Sequence, residues 1–175
     1  MGPTKMDRPE DVEPNPVNGK IYAALTNNSA RGTANGPAVD EANPVGSSMV
    51  RASLGAPLTS AAGNRNGYVL EITESSKNQH AGLAFDWNLL LVCGDPEAAE
   101  TWFGGFDKTK VSPISCPDNV SFDSAGNLWI STDGNVLGSN DGIFRVPVSG
   151  AQRGQVLQFL TVPLLAEACG PLVTD

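Results

Sequence analysis

Histidine, regularly spaced cysteine and long apolar runs are scarce in this sequence. Its 175 residues include one histidine, His80, and three cysteines with no CxxC spacing (Cys93, Cys116 and Cys169). This argues against a zinc ribbon or a dense disulfide framework, although one disulfide remains open. A Ser-His-Asp triad would have to use His80, and no G-x-S-x-G elbow accompanies it. We therefore expect His80 to be a loop or packing residue and the cysteines to act as small apolar side chains.

Basic residues are also few: the sequence has 11 lysines and arginines against 19 aspartates and glutamates. The net charge is -8 and the sequence pI is about 4.5, so a phosphate backbone would be repelled and we expect no nucleic-acid partner. Apolar runs such as residues 89–93 are too short to span a bilayer, and no signal peptide is visible, so we expect no membrane partner. A surplus of carboxylates does suit hard cations.

The sequence is instead rich in short strand-like runs separated by turn residues. Nineteen glycines and thirteen prolines punctuate it. The runs between them have the length and the β-branched or aromatic content of strands, and only residues 96–102 could form a short helix. The sequence therefore predicts an all-β protein. The predicted strands are residues 20–26, 68–73, 86–93, 119–122, 127–132, 142–148 and 155–160.

The chain also contains an internal repeat. Residues 9–22 align with residues 117–129, the second copy being one residue shorter, and a third copy begins at residue 166. A repeat of short strands and Gly-containing turns is typical of β-propeller blades, which cover each other's apolar faces. We predict a partial β-propeller forming a single domain over residues 1–175. It would have a long flexible loop or insertion around residues 29–66 and a blade truncated at residue 175.

An acidic residue occupies the same position in each copy: Glu10, Asp118 and Glu167. The innermost strands of propeller blades converge on one axis, so these carboxylates would lie close together. They would repel one another unless a cation neutralised them. The repeat therefore predicts an oxygen-liganded metal site. The alternative is that the acids cap turns and face solvent.

An arginine precedes the first of these acids. Arg8 and Glu10 are two residues apart, so they share a face of an extended segment. A guanidinium fork beside a metal-binding carboxylate suits a phosphoryl group, since the metal and the arginine can each hold phosphoryl oxygens. The alternative is an ordinary arginine–carboxylate pair on the surface.

Several segments together resemble the PhoX-type bacterial alkaline phosphatases, in order and over nearly the whole chain. The segments are MDRPEDVE at 6–13, ALTNN at 24–28, NP at 43–44, FDW at 85–87, PDN at 117–119, LWISTDG at 128–134 and AEACGP at 166–171. The resemblance implies a six-bladed propeller, usually exported to the periplasm or secreted. It also implies hydrolysis of phosphate monoesters with a cluster of calcium and iron.

The resemblance also implies roles for individual residues. Arg8 would clamp the substrate phosphate, Glu10 and Asp118 would be cluster ligands, and Glu167 a further ligand, with Arg8 and Glu10 catalytic. The family is more than twice this length and takes other ligands, including a cysteine, from an N-terminal part. The chain would thus be a fragment of the C-terminal part that lacks this N-terminal partner, and we expect it to have little activity alone. None of the three cysteines lies in a matching motif.

Two other functions remain open. The segment at 117–129 is also similar to the gluconolactonase-like propellers, which hold one calcium and open lactones. The second alternative is a propeller repeat that acts as a non-catalytic binding scaffold. The segments Arg8-Pro9-Glu10-Asp11 and Asn43-Pro44 favour the phosphatase over the gluconolactonase-like function.

Overall fold

The computed structural model describes residues 2–53, 55–75, 83–134 and 136–174, and these confirm the prediction of an all-β chain. None of the helices in these ranges is long and apolar enough to cross a membrane. The strands are β1 (Pro9–Pro14), β2 (Ile21–Leu25), β3 (Ser47–Val50), β4 (Thr59–Ala62), β5 (Tyr68–Glu74), β6 (Phe85–Val92), β7 (Trp102–Phe103), β8 (Pro117–Phe122), β9 (Leu128–Thr132), β10 (Gly142–Val146) and β11 (Leu157–Thr161).

Two antiparallel sheets make up most of this structure. The first has the strand order β1-β2-β5-β6-β7 and the second has the order β11-β10-β9-β8. One edge strand of each sheet, β1 in the first and β8 in the second, contains the start of one copy of the sequence repeat. Each copy pairs next with the strand that follows it, β1 with β2 and β8 with β9. The two sheets are therefore built alike at their first strands, and the propeller arrangement stays a prediction.

The first strands of the two sheets also pack against each other. Strands β1 and β2 both contact β8, so the sheets meet along their equivalent edges. A single buried apolar cluster joins their facing surfaces, with about 25 cal/mol gained per Å² of apolar surface removed from water. Its members from the two sheets include Tyr22, Ala24, Val69, Leu90, Leu91, Val120, Leu128, Ile130, Phe144 and Val146.

Residues 29–66 connect β2 to β5 and carry a small hairpin of their own. Strands β3 and β4 pair antiparallel, with Ser47 opposite Ala62. Arg31, at the start of this connection, is one of the largest fully buried side chains. The flexibility expected for this connection stays a prediction.

The helix expected at residues 96–102 is wrong. These residues form successive turns, in which the Ala98 N–H donates to the Asp95 carbonyl and the Thr101 hydroxyl donates to the Ala98 carbonyl. Asp95 also accepts from the N–H of Glu97. Such side-chain bonds offer the backbone an alternative to helical hydrogen bonding.

The cysteines are free thiols, two of them buried (Cys93 and Cys116) and one exposed (Cys169). The burial of the first two agrees with their expected role as small apolar side chains. His80 lies outside the described residues.

A buried carboxylate links the two sheets behind the apolar cluster. Glu71 in β5 accepts hydrogen bonds from Tyr22 at 2.7 Å, Asn88 at 3.0 Å and Lys20 at 3.0 Å, all within the first sheet. Arg153, which follows β10, forms an ion pair with it at 2.9 Å. Burial alone raises the pKa of Glu71, but these hydrogen bonds outweigh burial and lower the pKa to about 2.

Replacing Glu71 should destabilise the fold in a pH-dependent way. Because the pKa falls from 4.5 to about 2 on folding, the ionised carboxylate stabilises the protein fully above pH 4.5. That contribution is about 3 kcal/mol and is lost as the pH falls from 4.5 towards 2. Urea unfolding of Glu71→Gln should show this loss at pH 7 and a smaller difference from wild type below pH 4.5.

The control is Glu13→Gln, which changes an exposed carboxylate on β1. It should alter the free energy of unfolding by no more than about 0.5 kcal/mol at any of these pH values. An equal effect of the two substitutions would contradict a specific role for Glu71.

Candidate functional site

A strained backbone precedes each of the three repeated acids. Within the described residues, three non-glycine residues adopt a left-handed φ, a conformation that costs about 1–3 kcal/mol each. Each lies two positions before one of the acids predicted from the repeat. They are Arg8 (φ 43°) before Glu10, Cys116 (φ 52°) before Asp118 and Leu165 (φ 68°) before Glu167. The structure thus repeats the same backbone feature at all three positions.

The first two acids also lie at equivalent irregularities of their strands. The register of β1 against β2 shifts between Pro9 and Asp11, and that of β8 against β9 shifts between Pro117 and Val120. Bulges of this kind bend a strand and redirect side chains, and they are common beside functional sites. Glu10 and Asp118 lie within these two shifts.

The residues after the first two acids, Asp11 and Asn119, each form a hydrogen bond to the next copy. Asp11 Oδ2 accepts from the Val120 N–H at 2.9 Å, which joins β1 to β8. Asn119 Oδ1 accepts from the Gly170 N–H at 2.8 Å, which joins β8 to the third copy. The same relation therefore connects the three copies in series.

Arg8 contacts both its own acid and the end of the neighbouring strand. Its Nη2 lies 3.0 Å from Glu10 Oε1, and its Nη1 donates to Asn27 Oδ1 at 3.5 Å. The Arg8 side chain is 53 % exposed, so this ion pair alone contributes little to stability. The guanidinium is therefore oriented by the protein and remains accessible to an anion.

A buried ion pair fixes the chain immediately before Arg8. Asp7 is fully buried, and its Oδ1 accepts from Arg31 at 2.8 and 3.0 Å. It also accepts from Asn28 at 2.8 Å and from Asn64 at 3.2 Å. Removing one member of such a pair costs about 3–5 kcal/mol, because the other charge is left buried and unpaired. The start of β1 is thus anchored on its inner side while Arg8 points outward.

The acids act on one another electrostatically. The pKa of Asp118 is raised, first by burial and then by the negative charges of Asp133, Glu10 and Glu167, with Arg8 acting in the opposite direction. The three acids predicted from the repeat and Arg8 therefore share one electrostatic environment. Sequence reasoning missed Asp133; its place in a Thr-Asp-Gly turn just after β9 was the available signal.

The donor chemistry of this environment fits a hard cation. All four acids offer carboxylate oxygens, which calcium, magnesium and manganese prefer, and burial together with the neighbouring negative charges raises the pKa of Asp118. In the described ranges, no three acidic, histidine or cysteine side chains lie close enough together to hold one metal ion. The residues thus match a cation by charge and type, without forming a complete coordination shell.

The nearest cysteine is not a thiolate. Burial raises the pKa of Cys116 to about 11; the hydrogen bond from Asn27 lowers it, and the charges of Asp141 and Asp133 raise it. Its thiol donates to the Arg65 carbonyl at 3.3 Å. Cys116 is therefore protonated at neutral pH and packs beneath the site.

Comparison with known proteins decides the family. The family model described as alkaline phosphatase PhoX matches residues 1–175. The chain belongs to the PhoX alkaline phosphatase family. This assignment confirms the resemblance and favours the phosphatase over the gluconolactonase-like alternative.

A solved structure is similar to this PhoX-family chain. It is described as Pseudomonas fluorescens PhoX in complex with vanadate, a transition state analogue, and is 30 % identical, with a TM-score of 0.69. The match covers 95 % of this chain and 27 % of that chain, so this chain spans little more than a quarter of the solved protein's length. Curated protein sequences gave no match.

Neutralising Asp118 should stabilise the metal-free protein. Because its pKa is raised in the folded state, ionisation of Asp118 opposes folding once the pH exceeds the ordinary value of 3.8. Asp118→Asn should therefore raise Tm at pH 7 in buffer containing a chelator, in a thermal melt followed by circular dichroism.

The matched control is Asp107→Asn, because the pKa of Asp107 is lowered by hydrogen bonds from Thr109. This exposed carboxylate favours folding, so its replacement should not raise Tm. A lower Tm for Asp118→Asn would show that the acids do not repel one another.

Proposed function

We propose that this chain forms part of the active site of a metal-dependent phosphomonoesterase, which releases inorganic phosphate from phosphate esters. The observation that carries the proposal is the placement of an accessible Arg8, paired with Glu10, in the same electrostatic environment as Asp118. Membership of the PhoX family and the vanadate complex of the Pseudomonas relative support it.

Arg8 is the residue that binds and orients the phosphoryl group in this proposal. A guanidinium donates several N–H groups in one plane, which matches the oxygens of a phosphate or of the transition state. Glu10 and Asn27 hold the guanidinium from two sides and so limit its rotamers. A phosphate ester would thus meet a donor that is already oriented, which lowers the entropic cost of binding.

Glu10, Asp118 and Glu167 would hold the cation. Without one, these acids would repel the substrate phosphate that Arg8 attracts. We propose calcium, which the carboxylate oxygens suit, and iron as the metals, with further ligands supplied from outside this chain. When bound, the cation neutralises charge at the site and polarises a phosphoryl oxygen.

The proposal extends to architecture and location. The two similar sheets would be neighbouring blades of a six-bladed β-propeller, because their first strands pack side by side and carry equivalent acids. The protein of which this chain forms part would act on phosphate monoesters in the periplasm or outside the cell. The site lies at the converging ends of β1 and β8.

Replacing Arg8 should weaken the binding of orthovanadate, which mimics a phosphoryl group. Arg8→Lys keeps the charge but loses the planar fork, so its affinity for orthovanadate in the presence of calcium should fall by about tenfold or more, measured by titration calorimetry. The control Arg145→Lys alters a partly exposed arginine on β10 and should bind vanadate like wild type. Equal affinities of all three proteins would contradict the proposed role of Arg8.

Glu10 and Asp118 should contribute to calcium binding. In a calcium titration of the purified chain, the double variant Glu10→Gln/Asp118→Asn should bind calcium more weakly than wild type, since amides replace two charged ligands. The matched control is Glu13→Gln/Asp107→Asn, which removes two exposed carboxylates elsewhere. An unchanged calcium affinity of the first double variant would contradict the proposed ligand set.

A further inference from the structure

One buried threonine contacts both halves of the candidate site. Thr26 follows β2 and has no exposed surface. Its backbone N–H donates to the Arg8 carbonyl at 3.0 Å, and its hydroxyl donates to the Pro117 carbonyl at 2.8 Å. The first bond lies at the peptide that follows Arg8, and the second at the peptide that leads into Asp118. Thr26 therefore spans the gap between the two copies of the repeat.

The junction around this threonine is closely packed. Gly67 adopts φ +84°, and a Cβ there would lie 2.3 Å from the Thr26 carbonyl oxygen and 2.7 Å from Pro117 Cδ. Cys116, which precedes Pro117, donates its N–H to the Asn66 carbonyl at 2.7 Å. The chain that leads to Asp118 is thus contacted by residues 66–67 and by the Thr26 hydroxyl.

The contact of Thr26 belongs to the repeated architecture. The bond from its N–H to Arg8 has a counterpart in the second sheet, where the Asp133 N–H donates to the Cys116 carbonyl at 3.0 Å. Thr26 and Asp133 are therefore equivalent positions, each at the end of the second strand of its sheet. In the first copy the side chain at this position joins its own sheet to the next one.

We propose that Thr26 is a positioning residue of the site: its hydroxyl sets the spacing between the Arg8–Glu10 pair and Asp118. This inference rests on the proposed function. Thr26 does not touch the phosphate; it acts through the Pro117 carbonyl on the strained backbone before Asp118. Of the two hydrogen bonds that Thr26 donates, the hydroxyl bond reaches the second sheet and the backbone N–H bond stays within the first.

The test compares three variants with wild type. Thr26→Val keeps the shape and removes the hydroxyl, and Thr26→Ser keeps the hydroxyl. The control Thr101→Val removes another buried threonine hydroxyl, which donates to the Ala98 carbonyl at 2.9 Å away from the site. Each protein is assayed for Tm, for affinity towards orthovanadate with calcium present, and for the crystallographic distance between the Cα atoms of Arg8 and Asp118.

A positioning role predicts a specific pattern. Thr26→Val should bind vanadate about ten- to a hundredfold more weakly and show an altered Arg8–Asp118 distance. Thr26→Ser should stay within about threefold of wild type. Thr101→Val should lose Tm to a similar extent as Thr26→Val but keep its vanadate affinity. A merely structural role predicts that both valine variants lose Tm and that both keep their affinity, which would overturn the inference.

The crystallographic distance separates failure of the inference from failure of the proposed function. If wild type binds neither calcium nor vanadate, the proposed function fails, and the distance in Thr26→Val alone decides the positioning role. A distance equal to that of wild type would overturn the role whether or not the chain binds vanadate. A changed distance, restored in Thr26→Ser, would support it.

Discussion

Burial of Asp118 among the negative charges of Asp133, Glu10 and Glu167 is the constraint on which the candidate site depends. The repeat places an acid at the same point of each copy, and burial together with the neighbouring charges raises the pKa of Asp118. Such an arrangement opposes folding unless other contacts hold it. The contacts that do so surround the acids: Asp11 and Asn119, which follow Glu10 and Asp118, and Pro117, which precedes Asp118, all accept hydrogen bonds.

Two contacts anchor the chain on either side of Arg8 and Glu10. Asp7, one residue before Arg8, is fixed inward by Arg31, and Asp11, one residue after Glu10, is fixed to β8. Between these two anchored residues, the left-handed backbone at Arg8 and the bulge at Glu10 leave the two side chains paired at the surface. The site is thus rigid in its backbone while its charged groups remain accessible, which is what recognition of an anion through a cation requires.

Two buried acids, Glu71 and Asp118, show how opposite environments shift the pKa of a carboxylate in opposite directions. Glu71 is surrounded by donors, so its pKa is lowered and its charge stabilises the packing of the two sheets. Asp118 is buried beside other acids, so burial and then their negative charges raise its pKa, and its charge destabilises the metal-free fold. A group that is retained at a cost in stability points to function rather than to packing.

The sequence by itself determined the all-β class, the repeat with its three acids, the Arg8–Glu10 pair and the family. It could do so because strand alternation, turn residues and motif spacing are local properties of the chain. Tertiary structure alone decided that Asp133 joins the acids, that Asp7 pairs with Arg31, and that Thr26 bridges to Pro117. These contacts join residues 15 to 91 positions apart, and no local pattern encodes them. Residues 96–102 form turns in place of the short helix that the sequence allowed, because local hydrogen bonds to Asp95 and Ala98 compete with helical hydrogen bonding.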